Sequence, residues 1–225
     1  MKEFNSINIR NCAIIGHATV GKTILSDAML YTAGEINRLG SIEDGSTTSD
    51  YNADEIERNI SINMSLLHCS WKNCKINILD TPGYSDFIGE VKGTLRVAEL
   101  GMVVLNAVAG VEVGTESVWK IADEYHKSRL IFINRLDKEH ANFNQALATA
   151  QERFGNKVLV FQIPLHPGED FESFIDILKM VLVKYETNGS GKHSTSDIPE
   201  DIKAQAEELR EKIIEMAAEN DDQLL

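Results

Sequence analysis

The stretch GHATVGKT at 16–23 follows an apolar run, INIRNCAII at 7–15, and opens a segment at 22–31 in which Leu25, Ala28 and Met29 recur at helical spacing. The pattern G-x-x-x-x-G-K-[ST] between a strand and a helix commits a chain to a strand–loop–helix unit that holds phosphate. Gly16 and Gly21 let the backbone approach phosphate oxygens closely, and the amides of His17, Ala18, Thr19 and Val20 can converge on them. Lys22 adds a positive charge at the terminal phosphates. The Thr23 hydroxyl can ligate Mg²⁺, and the helix contributes its positive end.

The rest of the chain fits around that unit. Ala33 and Gly34 end the first helix, and 34–59 is a long polar stretch of the kind that is functional or mobile in a compact domain. ISINMSL (60–66) alternates apolar and polar. Lys72-Asn73 offers a turn, and CKINILD (74–80) returns antiparallel. A helix is expected at 85–100, a buried strand at 101–108, a helix at 115–127 capped by Thr115, a buried strand at 129–134 and a helix near 139–154. This alternation predicts an α/β fold, a doubly wound and mostly parallel sheet flanked by helices. Beyond 155 the pattern changes. VLVFQIPL reads as a strand, FESFIDILKMVLVKYE as helix or strand, 187–197 as a polar loop, and IPEDIKAQAEELREKIIEMAAE as a helix with Pro199 in its first turn. The expected division is a nucleotide-binding core at 1–155 and a subdomain at 156–225.

Two further motifs sit where such a sheet presents ligands, at the carboxyl ends of strands. In DTPG (80–83), Asp80 can hold a water of a Mg²⁺ shell and the Gly83 amide can face a γ-phosphate. In NRLD (134–137), the Asp137 carboxylate can accept two hydrogen bonds from the guanine edge. Adenine lacks that donor pair. D-x-x-G and N-x-x-D are weak alone; the phosphate loop upstream gives them meaning.

Taken in order, GHATVGKT, ERNISI, DTPGY and NRLD resemble the translational GTPases, nearest to the N-terminal G domain of elongation factor G and its elongation factor G-like paralogues. The resemblance extends to AGVEVGTESVWKIAD and to the last helix, and the segment after 155 resembles the subdomain inserted in that family's G domain. It implies GTP and GDP as ligands, Mg²⁺ as cofactor, GTP hydrolysis as the reaction, and the ribosome as partner of the full-length factor. ERNISI resembles the first switch, with Ser61 where the family's threonine ligates Mg²⁺ and Asn59 where it has glycine. Arg135 stands where a lysine lies along the base. Tyr84 replaces the histidine that positions the attacking water. No counterpart of the family's Ser-Ala turn occurs before Leu225, so a partial chain is expected, lacking the last strand and helix of the guanine-binding fold.

Composition limits the alternatives. A formal net charge of −13 in 225 residues opposes general nucleic-acid binding. No apolar run suggests a membrane span and MKEFNSINIR has no signal-peptide core, so a cytoplasmic monomer is expected. Cys12, Cys69 and Cys74 form no metal pattern, and the six histidines show no ligand spacing. Besides a hydrolysing GTPase, two readings stand: a GTP-sensing binding module slowed by Tyr84, and an ATP-using P-loop enzyme, against which NRLD argues.

Overall fold

A computed structural model of the chain describes residues 3–155, 158–186 and 191–219. They divide into two compact units, 1–134 and 135–225.

The first unit is built on a five-stranded sheet of order β2-β3-β1-β4-β5. β1 (Ile9–Gly16) lies at its centre, parallel to β3 (Cys74–Asp80) on one side and to β4 (Leu100–Asn106) on the other. β5 (Ser128–Asn134) extends the parallel set beyond β4. β2 (Ser65–Trp71) is the single antiparallel strand. β1 is flanked on both sides, which is why four consecutive apolar residues, Cys12, Ala13, Ile14 and Ile15, are all buried there. One face packs Cys12, Ile14, Ile78 and Val104 against α1 (Lys22–Thr32) through Leu25, Met29 and Leu30. The other is covered by α3 (Ile88–Val97) and α4 (Val113–Glu124).

The hairpin departs from expectation in register. Lys72 and Asn73 do turn the chain, both with left-handed φ (44° and 67°), and that tight turn pairs Trp71 with Cys74. Counting back from the turn brings Ser65 opposite Asp80, so β2 begins at Ser65 and not at Ile60. The alternation at 60–64 belongs to an irregular segment in which the Ile62 and Asn63 amides are held by the Glu55 carboxylate and the Met64 amide by Glu90. A short helix missed in the sequence, α2 (Ala53–Arg58), precedes it behind an Asn52–Glu55 capping box. The helix expected at 85–100 is a short 3₁₀ turn at 85–87 followed by α3. α4 starts at Val113 with Glu112 as its cap, and Thr115 supplies the reciprocal bond. β5, expected as a buried strand, is the last of the sheet among the described residues, and Leu130 and Phe132 are each 37% exposed.

The second unit carries an antiparallel sheet of order β6-β7-β8-β9, formed by Gln162–Leu165, Ser173–Asp176, Val181–Tyr185 and His193–Ser196. The segment of undecided type is the β7–β8 hairpin, where the Asp176 carboxylate accepts the Lys179 amide across the turn. Part of the expected polar loop is β9, and 187–190 lie outside the described residues. α5 (Phe143–Phe154) and α6 (Glu200–Ala218) share one apolar cluster with these strands. Phe143 and Leu147 from α5, and Ala206 and Ile213 from α6, pack with Ile163, Ile175 and Ile177. Pro199 caps α6 from outside its first turn. The boundary therefore falls after Asn134, and α5 contributes to the second core instead of extending the first unit to 155. Among the described residues no helix is long and apolar enough to cross a membrane.

Candidate nucleotide-binding site

β1 delivers the chain into the loop at 16–21 and α1 takes it out at Lys22. Gly21 occupies a left-handed conformation (φ 96°), and a Cβ there would lie 2.5 Å from the Asn134 amide nitrogen. That amide donates to the Val20 carbonyl at 2.9 Å, so the end of β5 buttresses the phosphate loop. Val20 and Ala18 are buried, whereas Thr19 is exposed with φ 62°. His17 lies 3.5 Å from the Glu112 carboxylate at the cap of α4. The Lys22 ammonium is folded back on the loop, donating to the carbonyls of His17 (2.7 Å) and Gly16 (3.3 Å).

β3 brings Asp80 beside this loop. The side chain is buried, and neither carboxylate oxygen has a hydrogen-bond partner of normal geometry among the described residues. Burial pushes its pKa up to about 6, against the lowering influence of the Ser49 hydroxyl, the Lys22 ammonium and the Thr23 hydroxyl. Burial in turn pulls Lys22 down to about 8, opposed by Asp80 and Asp50. Gly83 has no room for a side chain: a Cβ would meet the Lys22 ammonium and stand 2.6 Å from the Ala18 Cα. Its backbone is thus pressed against the phosphate loop. Tyr84 follows, 40% exposed, and its carbonyl accepts the Phe87 amide of the 3₁₀ turn.

The long polar stretch is ordered over this site by buried acids. Asp27 on α1 accepts the amides of Gly40 (3.1 Å) and Thr48 (3.1 Å) through its two oxygens. Ser61 Oγ lies 3.2 Å from Thr23 Oγ1 and also bonds to the Asp50 carboxylate. Asp50 is itself buried, and desolvation raises its pKa despite the Ser61 bond. Thr23, Ser61, Asp50 and Asp80 thus gather hydroxyl and carboxylate oxygens around one ammonium. An all-oxygen set with spare acceptors and excess negative charge fits a hard divalent cation. Among the described residues no three histidine, cysteine or acidic side chains form a metal cluster unaided.

Lys22, Thr23, Ser61, Asp80, Gly83 and Asn134 therefore lie together in the first unit. Arg135 and Asp137 follow in the second. Arg135 has φ 63°, and the Asp137 carboxylate is exposed and 3.3 Å from the Lys138 ammonium. Sequence reasoning missed Asp27, Asp50 and Glu55. The Asn-x-x-Glu spacing at 52–55 was the available signal for the last.

Comparison with known proteins agrees with this geometry. The family described as the elongation factor Tu GTP binding domain matches residues 7–222. The chain is 37% identical over 219 residues to elongation factor G of Mycoplasma pneumoniae, a match covering 97% of this chain and 32% of that protein. It is similar, at 30% identity and a TM-score of 0.88, to a crystal structure of a protein from Thermus thermophilus, covering 96% of this chain and 32% of the other. The chain thus spans about a third of the length of these relatives. A phosphate loop braced by Asn134, a glycine pressed against it at the end of β3 and a family match over nearly the whole length lead to one conclusion: the chain belongs to the GTP-binding domain family of the translational GTPases.

Proposed function

We propose that this chain is the guanine-nucleotide switch of an elongation factor G-like translation factor, which binds GTP and GDP with Mg²⁺ and hydrolyses GTP in partnership with the ribosome. The observation that carries the reading is the convergence of Ser61, Asp80 and Gly83 on Lys22 and Thr23, where the loop at 16–21 enters α1. In this reading Lys22 leaves the carbonyls of Gly16 and His17 and turns its charge to the β- and γ-phosphates. The loop amides from Gly16 to Lys22 hold the phosphate chain. The Gly83 amide senses the γ-phosphate, and Asn134, Arg135 and Asp137 serve the base, with Asp137 selecting guanine. Thr23 and Ser61 would ligate Mg²⁺ directly and Asp80 through water, with Asp50 beside them. The ion would neutralise phosphate charge. The unpartnered oxygens of Asp80 and the 3.2 Å approach of the two hydroxyls support that assignment.

Tyr84 stands beside Gly83 with its ring partly exposed. A phenol can orient a water by hydrogen bonding but is a poor base near neutral pH. Its part is positioning, which is most of what phosphoryl transfer asks of a protein. The slow binding-module reading differs only here. Release of the ordered 34–62 stretch after loss of the γ-phosphate would be the output.

Competition against labelled GDP tests the proposal. GTP should displace it and ATP should not, and Lys22→Ala should abolish triphosphate binding. Displacement by ATP as effective as by GTP would overturn the guanine reading. Tyr84→His in the complete factor with ribosomes separates the two GTP readings: faster turnover marks the tyrosine as limiting, and unchanged turnover clears it.

A further inference from the structure

The Glu55 side chain has no exposed surface, yet it is used by neither the phosphate loop nor the base motif. Its Oε1 accepts the amides of Ile62 (3.0 Å) and Asn63 (2.9 Å). Its Oε2 accepts the Asn52 side-chain amide at 2.8 Å and the Asn52 backbone at 3.3 Å. Its own carbonyl accepts the Ile60 amide at 3.2 Å. Asn59, in a left-handed conformation (φ 54°), turns the chain so that the segment folds back on this one residue. Three of the amides that flank Ser61, those of Ile60, Ile62 and Asn63, thus end on Glu55. Burial pushes this carboxyl up, but the hydrogen bonds from Asn63, Ile62 and Asn52 outweigh it and hold it below its ordinary value.

We propose that Glu55 is a positioning residue that sets the Ser61 hydroxyl over Thr23, so that retention of GTP, but not of GDP, depends on it. The inference rests on the Mg²⁺-dependent GTP reading above. Ser61 has one rotatable bond between backbone and hydroxyl, so the place of its Oγ follows from the backbone on either side. A carboxylate suits the task because it accepts at both oxygens. Glutamine presents an NH₂ group that cannot accept, so one pair of the four donors would face another donor. GDP has no γ-phosphate and needs no closed segment at 59–63. Glu55 touches neither nucleotide nor metal in this scheme and acts only through Ser61.

The test measures dissociation of fluorescent GDP and of a fluorescent non-hydrolysable GTP analogue from the full chain, across a Mg²⁺ titration, in wild type, Glu55→Gln, Ser61→Ala and the double variant. Glu55→Gln should raise the Mg²⁺ needed to retain the analogue by roughly tenfold or more, since losing a group that orients a metal ligand costs about 10–100-fold in metal affinity. GDP retention should change by less than about twofold. Ser61→Ala should reproduce the effect, and the double variant should add little to either, because both remove the same interaction. Equal weakening of GDP and analogue, or no change in either, overturns the proposal and leaves Glu55 a core residue. A wild-type chain that retains the analogue without regard to Mg²⁺ overturns the underlying reading as well. Should Glu55→Gln fail to fold, hydrogen exchange at Ile62 and Asn63 in wild type decides. Protection that is higher with the analogue and Mg²⁺ than with GDP supports the coupling, and equal protection refutes it.

Discussion

Replacing Asp80 by asparagine should make the ligand-free chain more stable while removing its ability to keep a Mg²⁺-dependent triphosphate. The carboxyl is 2% exposed, and burial carries its pKa from 3.8 to about 6 even after the opposing pull of Ser49, Lys22 and Thr23. At about 1.4 kcal/mol per pH unit this is about 3 kcal/mol borne by the charged folded state at neutral pH. A buried amide without partners costs roughly 1–3 kcal/mol itself, which leaves a net gain of about 1 kcal/mol. The sign with pH follows from the direction of the displacement. Because the folded pKa lies above the unfolded one, the folded chain holds the proton more tightly, and this contribution to stability is lost as pH rises from about 4 to about 6. Urea unfolding in a chelator should show the advantage of Asp80→Asn to be about 1 kcal/mol smaller at about pH 5 than at about pH 7.5. A variant less stable than wild type at both pH values, or an advantage independent of pH, would refute the view that burial strains this carboxylate. Wild-type retention of a GTP analogue by the variant would refute the proposed place of Asp80 at a cation.

Gly83→Ala forces a Cβ to within 2.6 Å of the Ala18 Cα, so urea unfolding should show a loss of about 1–3 kcal/mol, the cost of overpacking against backbone. In nucleotide competition the same variant should lose most of its preference for GTP over GDP. Asp137→Asn should move preference from guanine toward xanthine nucleotides, read by the same assay with XTP; continued preference for GTP counts against base selection at that carboxylate. Lys72→Gly relieves a left-handed lysine (φ 44°) in the β2–β3 turn and should stabilise the chain by about 0.5 kcal/mol in thermal unfolding, with nucleotide affinity unchanged.

The parts of the molecule legible in the sequence are those where one local rule acts alone. Phosphate-loop spacing, the buried β1 and the Lys72-Asn73 turn needed nothing from elsewhere in the chain. The errors fall where a distant or side-chain partner decides. Ile60 and Ile62 alternate like a strand, but the Ile62 amide goes to Glu55 and the turn at 72–73 had already assigned Ser65 to Asp80. The hairpin at 173–185 was ambiguous because apolar residues stand side by side, Phe174 with Ile175 and Ile177 with Leu178, which hides the strand alternation that burial shows at Ser173, Ile175 and Ile177. Of the site, the glycines, Lys22, Thr23 and Asp80 were readable from motif chemistry. Asp27 and Asp50 were not: an acid buried to receive a distant donor, loop amides for Asp27 and the Ser61 hydroxyl for Asp50, looks, in sequence, like any acid on a solvated face.

The grip of Asp27 on Gly40 and Thr48 bears on how good a signal such a chain can give. If only the closed arrangement of 34–62 accepts GTP, the apparent affinity is the intrinsic one scaled by the fraction of molecules already closed. Asp27 raises that fraction before any ligand arrives, so it tightens GTP. To the extent that these bonds outlast the γ-phosphate, they hold back release of the stretch, and the two nucleotide states come to resemble each other. Affinity and contrast are therefore set against each other by a single carboxylate. Weakening it would yield a chain that binds GTP less tightly but reports its loss more sharply.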